Sequence, residues 1–401
     1  MHANGHIDRF ARSHEAVFDQ VHGTSAFFPF HRRFVLEFEN IGRSYDPGFT
    51  VPYWDAPLDY RRPERSPVLQ RNTLGGNGRS SDGCLTSGVM ANWGISVPTR
   101  HCLSRRFDNA PFINSWMPPE VVSSYIQSDS SLADFREHIE YGIHGNTHVG
   151  LGGDAATKYA AADFFFHMHH ANIDRLWWLW QNNHARGMSM YNGIGSQGAA
   201  SLNDVIPNGG GIGFGGERVG SVMVLGFNGV CYSYDSAPSP PRNFPASGPT
   251  QKGSHRNAMS QDGDDQERVR SRPPSAADTA EALPGDSDIP SHRFLSGASD
   301  PTGSDLEAIR MRASLDPDQL RAFYPGLVHV SRDGHQRTPA IVDDLSGDTR
   351  TALQAKIPYP ALLSKDWVAM HGFDYAKVEQ VHREACYLIE LLNNSTYRSP
   401  Y

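Results

Sequence analysis

Cysteine is scarce in this chain, with Cys84, Cys102, Cys231 and Cys386 the only four among 401 residues. So few thiols exclude a disulfide-dense secreted scaffold. Cys84 and Cys102 flank a Gly/Ser-rich stretch and could be bridged, but a reduced pair is the expectation for a cytosolic chain. No stretch approaches 18 consecutive apolar residues, so no membrane-spanning helix is expected. Positive charge is in deficit: 36 Lys and Arg face 44 Asp and Glu, a net charge of -8 with His neutral. That balance argues against nucleic acid or an anionic membrane as the main partner. The opening MHANGHIDRFARSH lacks the apolar core of a signal peptide. A cytoplasmic location is expected for the sequence as written, with secretion the alternative if the N-terminus was trimmed.

Histidine, by contrast, is plentiful and unevenly placed. In EYGIHGNTHVGLGG, His144 and His148 are four apart, which on a helix puts them on one face with Cβ atoms roughly 6 Å apart. After the Gly-rich break at 150–153, a second periodic run from Asp163 carries His167, His169 and His170, any of which could supply a third imidazole on spacing alone. A counterpart lies near the N-terminus, where FARSHEAVFDQVHGTSAFFPFHRRFVLEFE contains His14, His22 and His31. Two sets of three neutral nitrogen ligands, without cysteine, suit a pair of copper ions. Zinc would fit one triad nearly as well, yet a catalytic zinc site does not need the second.

Along the chain, residues 4–19 read as a helix with His6, Phe10, His14 and Val17 at spacings of three and four. HRRFVLEFENI reads as another, ending near Gly42, with Pro29 tolerated in its first turn. Residues 44–130 are mainly loops, in which VPYWD is a short buried plug. SVMVLGF, residues 221–227, has the composition of a strand. The stretch 241–300 is rich in Pro, Gly and Ser and poor in large apolar residues, so it reads as an exposed linker. DLEAIRMRASLDPDQLRAFY is weakly helical, and 373–393 is a better helix whose stripe of Val378, Val381, Ala385, Ile389 and Leu392 needs a partner surface. The expected organisation is a catalytic domain over 1–240, the linker, and an extension over 301–401 packed on the catalytic domain.

The stretch from His22 to Glu39 resembles the first copper signature of the tyrosinase, catechol oxidase and haemocyanin family, including Phe30-His31-Arg32 and the closing Glu39. The second signature is matched by Asp163, Phe166, His170 and Asp174, with Phe164 standing where the family usually has proline. YSY at 232–234 looks like the motif that closes the family's catalytic domain. The resemblance implies a mainly α fold: an antiparallel four-helix bundle around a binuclear copper site, with long loops, a few short strands and a C-terminal extension. It implies that His14, His22 and His31 hold one copper and His144, His148 and His170 the other; family register is what favours His170 over His167. No cysteine precedes His22, so the thioether link of some relatives cannot form.

Around the ligands, Glu39, Asp174 and His169 are expected in supporting roles, the acids orienting imidazoles or pairing with Arg32 or Arg175. His2, His6, His101, His138, His184 and the five histidines of the C-terminal third read as structural or surface residues, and the Trp177, Trp178 and Trp180 group as core. The activity implied is polyphenol oxidase: small o-diphenols and o-aminophenols oxidised to o-quinones or quinone imines, with O2 as co-substrate. Strong monophenol hydroxylation is the alternative, and an O2-binding protein the alternative from another class. In strong monophenol hydroxylases a glutamate and an asparagine after the second triad's first histidine hold a water that takes the phenol's proton. Here Glu140 resembles the glutamate, but Gly145 follows His144 and Asn146 is one residue late. Weak monophenol activity is therefore expected, with Gly145 widening the entrance for ortho-substituted rings.

Overall fold

A computed structural model describes residues 1–195, 198–227, 229–234, 323, 356–394, 399 and 401, and the backbone of 329–330 and 336–337. The stretch 241–300 read as a linker, and 305–322 of the weakly helical segment, lie outside the described residues.

Helices dominate. They are α1 (His6–Val21), α2 (Phe27–Arg43), α3 (Pro119–Ser128), α4 (Leu132–Ile139), α5 (Gly145–Leu151), α6 (Phe164–Asn183), α7 (Lys365–Met370) and α8 (Tyr375–Asn394). Among the described residues three small antiparallel ladders accompany them: β1 (Gly94–Ile95) with β2 (His101–Cys102), β3 (Ile194–Gly195) with β4 (Gly198–Ala199), and β5 (His329–Val330) with β6 (Gln336–Arg337). In the first, Gly94 pairs with Cys102 and Ile95 with His101. A disulfide joins Cys84 to Cys102, correcting the expectation of a reduced pair. The sequence could place the two cysteines on either side of a turn-rich loop, but not fold that loop to bring them together.

The bundle is built from α1, α2, the α4–α5 arm and α6. Ile7, Phe10, Ala11, His14, Val17, Phe18 and Val21 form the buried stripe of α1. Helix α2 is buried nearly all round from Phe27 to Phe34, as befits the central member of a bundle. It packs on α6, where Phe28 stacks 5.4 Å from Trp177. Asp163 caps α6 by accepting from Phe165 N–H at 3.1 Å and is itself gripped by both arms of the Arg105 guanidinium, at 2.6 and 2.7 Å. Proline would fit the next position because its missing N–H costs nothing there. Phe164 instead donates its N–H to Met90 Sδ and packs its ring on Phe38.

Residues 221–227 do not form the expected strand. Val219–Ser221 is one tight helical turn, and the carbonyls of Val222 and Met223 accept from Arg32, with Gln181 also donating to Met223. These carbonyls face Arg32 and Gln181 rather than a neighbouring strand, while Val222 and Met223 still bury their side chains. Trp54 of VPYWD is buried as a plug, its backbone N–H donating to Met168. Helix α8 buries Val378, Val381, Ala385, Ile389 and Leu392, and it lies against α3 and the turn Glu140–His144.

Candidate metal centre

The first cluster of imidazoles comes from two helices and the corner between them. His14 stands on α1, His31 on α2, and His22 at the extended residue where α1 ends. Each ring donates Nδ1–H to a backbone carbonyl: His14 to Lys158 at 2.6 Å, His22 to Phe18 at 3.0 Å, His31 to Phe27 at 2.8 Å. A carbonyl only accepts, so Nδ1 carries the hydrogen and Nε2 presents its lone pair. The Nε2 atoms of His14 and His31 then face each other at 3.5 Å, two lone pairs that repel unless a cation lies with them. One nitrogen from each of the three rings falls within 4.8 Å of the others.

The second cluster is set by a break in the helix. Glu140–His144 forms a wide turn between α4 and α5, with Gly142 at a non-helical φ of -100° and ψ of -112°. A Cβ on Gly142 would lie 2.5 Å from Met117 Sδ, the flexible end of a side chain that would have to shift. The turn puts His144 opposite His148 of α5, with Nδ1 of the first donating to Glu140 O and of the second to Ala155 O. His169 and His170 of α6 complete a group of four imidazoles whose nitrogens lie within 4.8 Å. Neither of these two rings, nor Nε2 of His144 and His148, has a hydrogen-bond partner among the described residues. The two clusters adjoin, His31 stacking on His170 with ring centres 4.0 Å apart.

All seven rings are buried. Burial pushes them down from the ordinary histidine range, His14 to about 3, His148 to about 4 and the rest well below, and neighbouring imidazoles deepen the effect at His22, His144 and His170. They are neutral at physiological pH, the state in which imidazole binds metal.

Residues 4–183 match the family model described as the common central domain of tyrosinase. A tyrosinase of Streptomyces antibioticus is 32% identical over 234 residues, covering 50% of this chain and 82% of that one. The chain belongs to the tyrosinase family. Tyrosinase ustQ of Aspergillus flavus is also 32% identical, over 58% of this chain and 70% of the relative. A solved polyphenol oxidase mutant from Thermothelomyces thermophila is looser, at 22% identity and a TM-score of 0.48, over 57% of this chain and 77% of that one. As a member of the tyrosinase family the chain is a copper-dependent oxidase. The opposed lone pairs, orphaned buried nitrogens and all-imidazole donor set fit copper.

The other residues singled out from the sequence fall in different places. His167 joins neither cluster: it stacks 3.5 Å from Phe38 and lies edge-on to Phe10, a histidine among phenylalanines. Asp174 takes Arg32 Nε at 2.5 Å and the hydroxyls of Tyr232 and Tyr234, tying YSY to the bundle. Glu39 accepts from Thr50 and Val51 and pairs with Arg43, so neither an imidazole nor Arg32 is among its partners in the described residues. His101 bonds Asp154, His184 bonds Ile126 O, and His138 lies between Asp129 and Glu384.

Glu140 is buried, accepting from Gly23 N–H at 3.0 Å and from Arg136 at 2.5 Å; burial pushes its carboxyl up to about 7 against the pull of Arg136. The space beside Gly145 is not the open entrance expected. A Cβ there would meet Leu363 Cδ1 at 2.5 Å and Trp367 at 3.2 Å. Asn146 accepts from Met117 N–H and donates to Ala361 O, fastening the same C-terminal segment.

His371 was missed in the sequence. It is buried, with its ring centre 5.1 Å from that of His22 and 4.6 Å from Phe18. Trp367 packs on it with ring centres 3.6 Å apart and tilted by 35°, and stands 6.1 Å from His144, so α7 and the turn after it cover both clusters. Only the spacing of four between Trp367 and His371, which directly follows a short helix capped by Ser364, hinted at a shared face.

Proposed function

We propose that the protein is a polyphenol oxidase that converts o-diphenols and o-aminophenols to o-quinones and quinone imines with O2, and hydroxylates simple monophenols slowly. His14, His22 and His31 hold the first copper in this reading, and His144, His148 and His170 the second. The observation that carries it is the pair of adjoining, buried clusters whose ring nitrogens converge, with His31 and His170 stacked at their junction. Bound copper supplies the two-electron couple linking phenol to dioxygen. The chain's own groups do the rest. Backbone carbonyls fix the tautomer of five of the six rings, and Phe27, Phe165 and Phe166 wall the centre from water. A catechol gives up two electrons and two protons; two catechols reduce one O2 to two waters.

The weak monophenol activity rests on what surrounds Glu140. Hydroxylation needs a base for the phenol's proton. Glu140 is engaged by Gly23 and Arg136, residue 145 has no side chain, and Asn146 is committed to Met117 and Ala361. Oxygen uptake with dopamine and tyramine tests the reading. The expected result is rapid uptake with the catechol and a long lag with the monophenol; comparable rates without a lag would overturn the weak monophenol assignment, and no uptake with either would overturn the oxidase.

Leu363 and Trp367 lie beside Gly145, Trp367 also near His144, and His371 near His22. In the same reading the C-terminal segment restricts access, and turnover rises when it is displaced.

A further inference from the structure

The ring of His371 is arranged like the ligands beneath it. His22, His31 and His144 each donate Nδ1–H to the carbonyl four residues earlier, and His371 does the same to Trp367 O at 2.9 Å. The bond leaves Nε2 as the lone-pair nitrogen. The ring lies 5.1 Å from His22 at an interplanar angle of 88°, matching the 5.2 Å and 86° between His14 and His22. His22 is the ligand at the corner of the bundle, the side on which the C-terminal segment lies. One nitrogen of each of His14, His22 and His31 makes the compact group, to which His371 does not belong in this arrangement, so its ring must move inward to bind.

We propose that His371 is an exchangeable fourth ligand of the first copper, carried on the C-terminal segment and binding through Nε2 in the position a phenolic oxygen would take. The surroundings hold the ring beside His22. Trp367 and Phe373 pack on the ring and fix its plane, while Phe18 lies against both it and His22. Copper held by three imidazoles has room for a fourth nitrogen ligand. Substrate and His371 would compete for one position, so the segment would restrain the enzyme through a metal bond as well as by bulk.

The inference rests on the copper reading above, and its test separates the two. Full-length protein labelled with 15N-histidine is compared metal-free and loaded with Cu(I), a diamagnetic ion. The resonances of His371 are those lost in His371→Phe, a variant that retains an aromatic cover but no ligand; His371→Gln serves the same assignment should the first fail to fold. The expected result is that Nε2 of His371 moves on loading in the same direction and to a similar extent as Nε2 of His14, His22 and His31. Extraction of the first copper by a Cu(I) chelator should also be faster in His371→Phe, by roughly tenfold, with the second copper unaffected. An unmoved Nε2, or equal extraction, would overturn the fourth ligand while leaving the copper pair intact. Failure of the unmodified protein to bind two coppers would overturn the functional reading instead.

Discussion

At the scale of single residues, the run Phe164 to His170 separates ligand from look-alike. His167 and His170 are three apart and share a helix face, yet one stacks on Phe38 and the other on His31. Replacing His170 with Ala is expected to remove the second copper and nearly all catechol oxidation. His167→Phe swaps a ring for a ring of similar volume among phenylalanines, and is expected to cost less than about 1.5 kcal/mol in denaturant unfolding while retaining both coppers. Loss of copper in the second variant and not in the first would reverse the assignment. His169, expected in a supporting role, lies inside the group of four. Spacing could not sort these three histidines; the residues that decide it, Phe38 and His31, lie on another helix. His371 was less visible still, since nothing within 200 residues of it resembles a metal site in sequence.

The elements were legible where their period was strong. α1, α2 and α8 appear within a few residues of the positions their apolar spacing indicates, and most of their buried stripes are the ones expected. Residues 221–227 failed because apolar content cannot reveal that Arg32, from α2, takes the carbonyls. The wide turn at Glu140–His144, with Gly142 off the helical backbone, was equally hidden.

Elements also meet at His138, which joins α4 to α3 and α8. Its ring stacks on Tyr125, and its nitrogens reach Asp129 at 2.8 Å and Glu384 at 3.2 Å. Burial opposes its charge, but the two carboxylates outweigh it and push His138 up to about 10 from 6.5. The folded state therefore holds the proton more tightly than the unfolded one. The contribution is complete below the unfolded value of 6.5 and is lost as pH rises through about 10. His138→Gln is expected to lower unfolding stability by roughly 1.5–3 kcal/mol at pH 6, with the gap from the unmodified protein narrowing toward pH 10. A gap that widens with pH would contradict the charged bridge.

The whole molecule is a bundle whose centre is closed by its own distant chain. Asn146 holds Ala361, Gly145 leaves room for Leu363, Lys377 pairs with Glu137, and Asn393 bonds both backbone groups of Ile357. Cleavage between 241 and 300 followed by separation of the C-terminal part is expected to raise catechol turnover several-fold; unchanged turnover would leave that part a stabilising appendage. Gly145→Asn, which would press on Leu363 and Trp367, is expected to raise turnover without any cleavage, because it displaces the cover. The measurement that bears most directly on the central claim is the metal content of the purified holoprotein by mass spectrometry. Two coppers per chain, falling to one in His170→Ala, is the result predicted; one copper per chain in the unmodified protein, or zinc in place of copper, would contradict the paired centre.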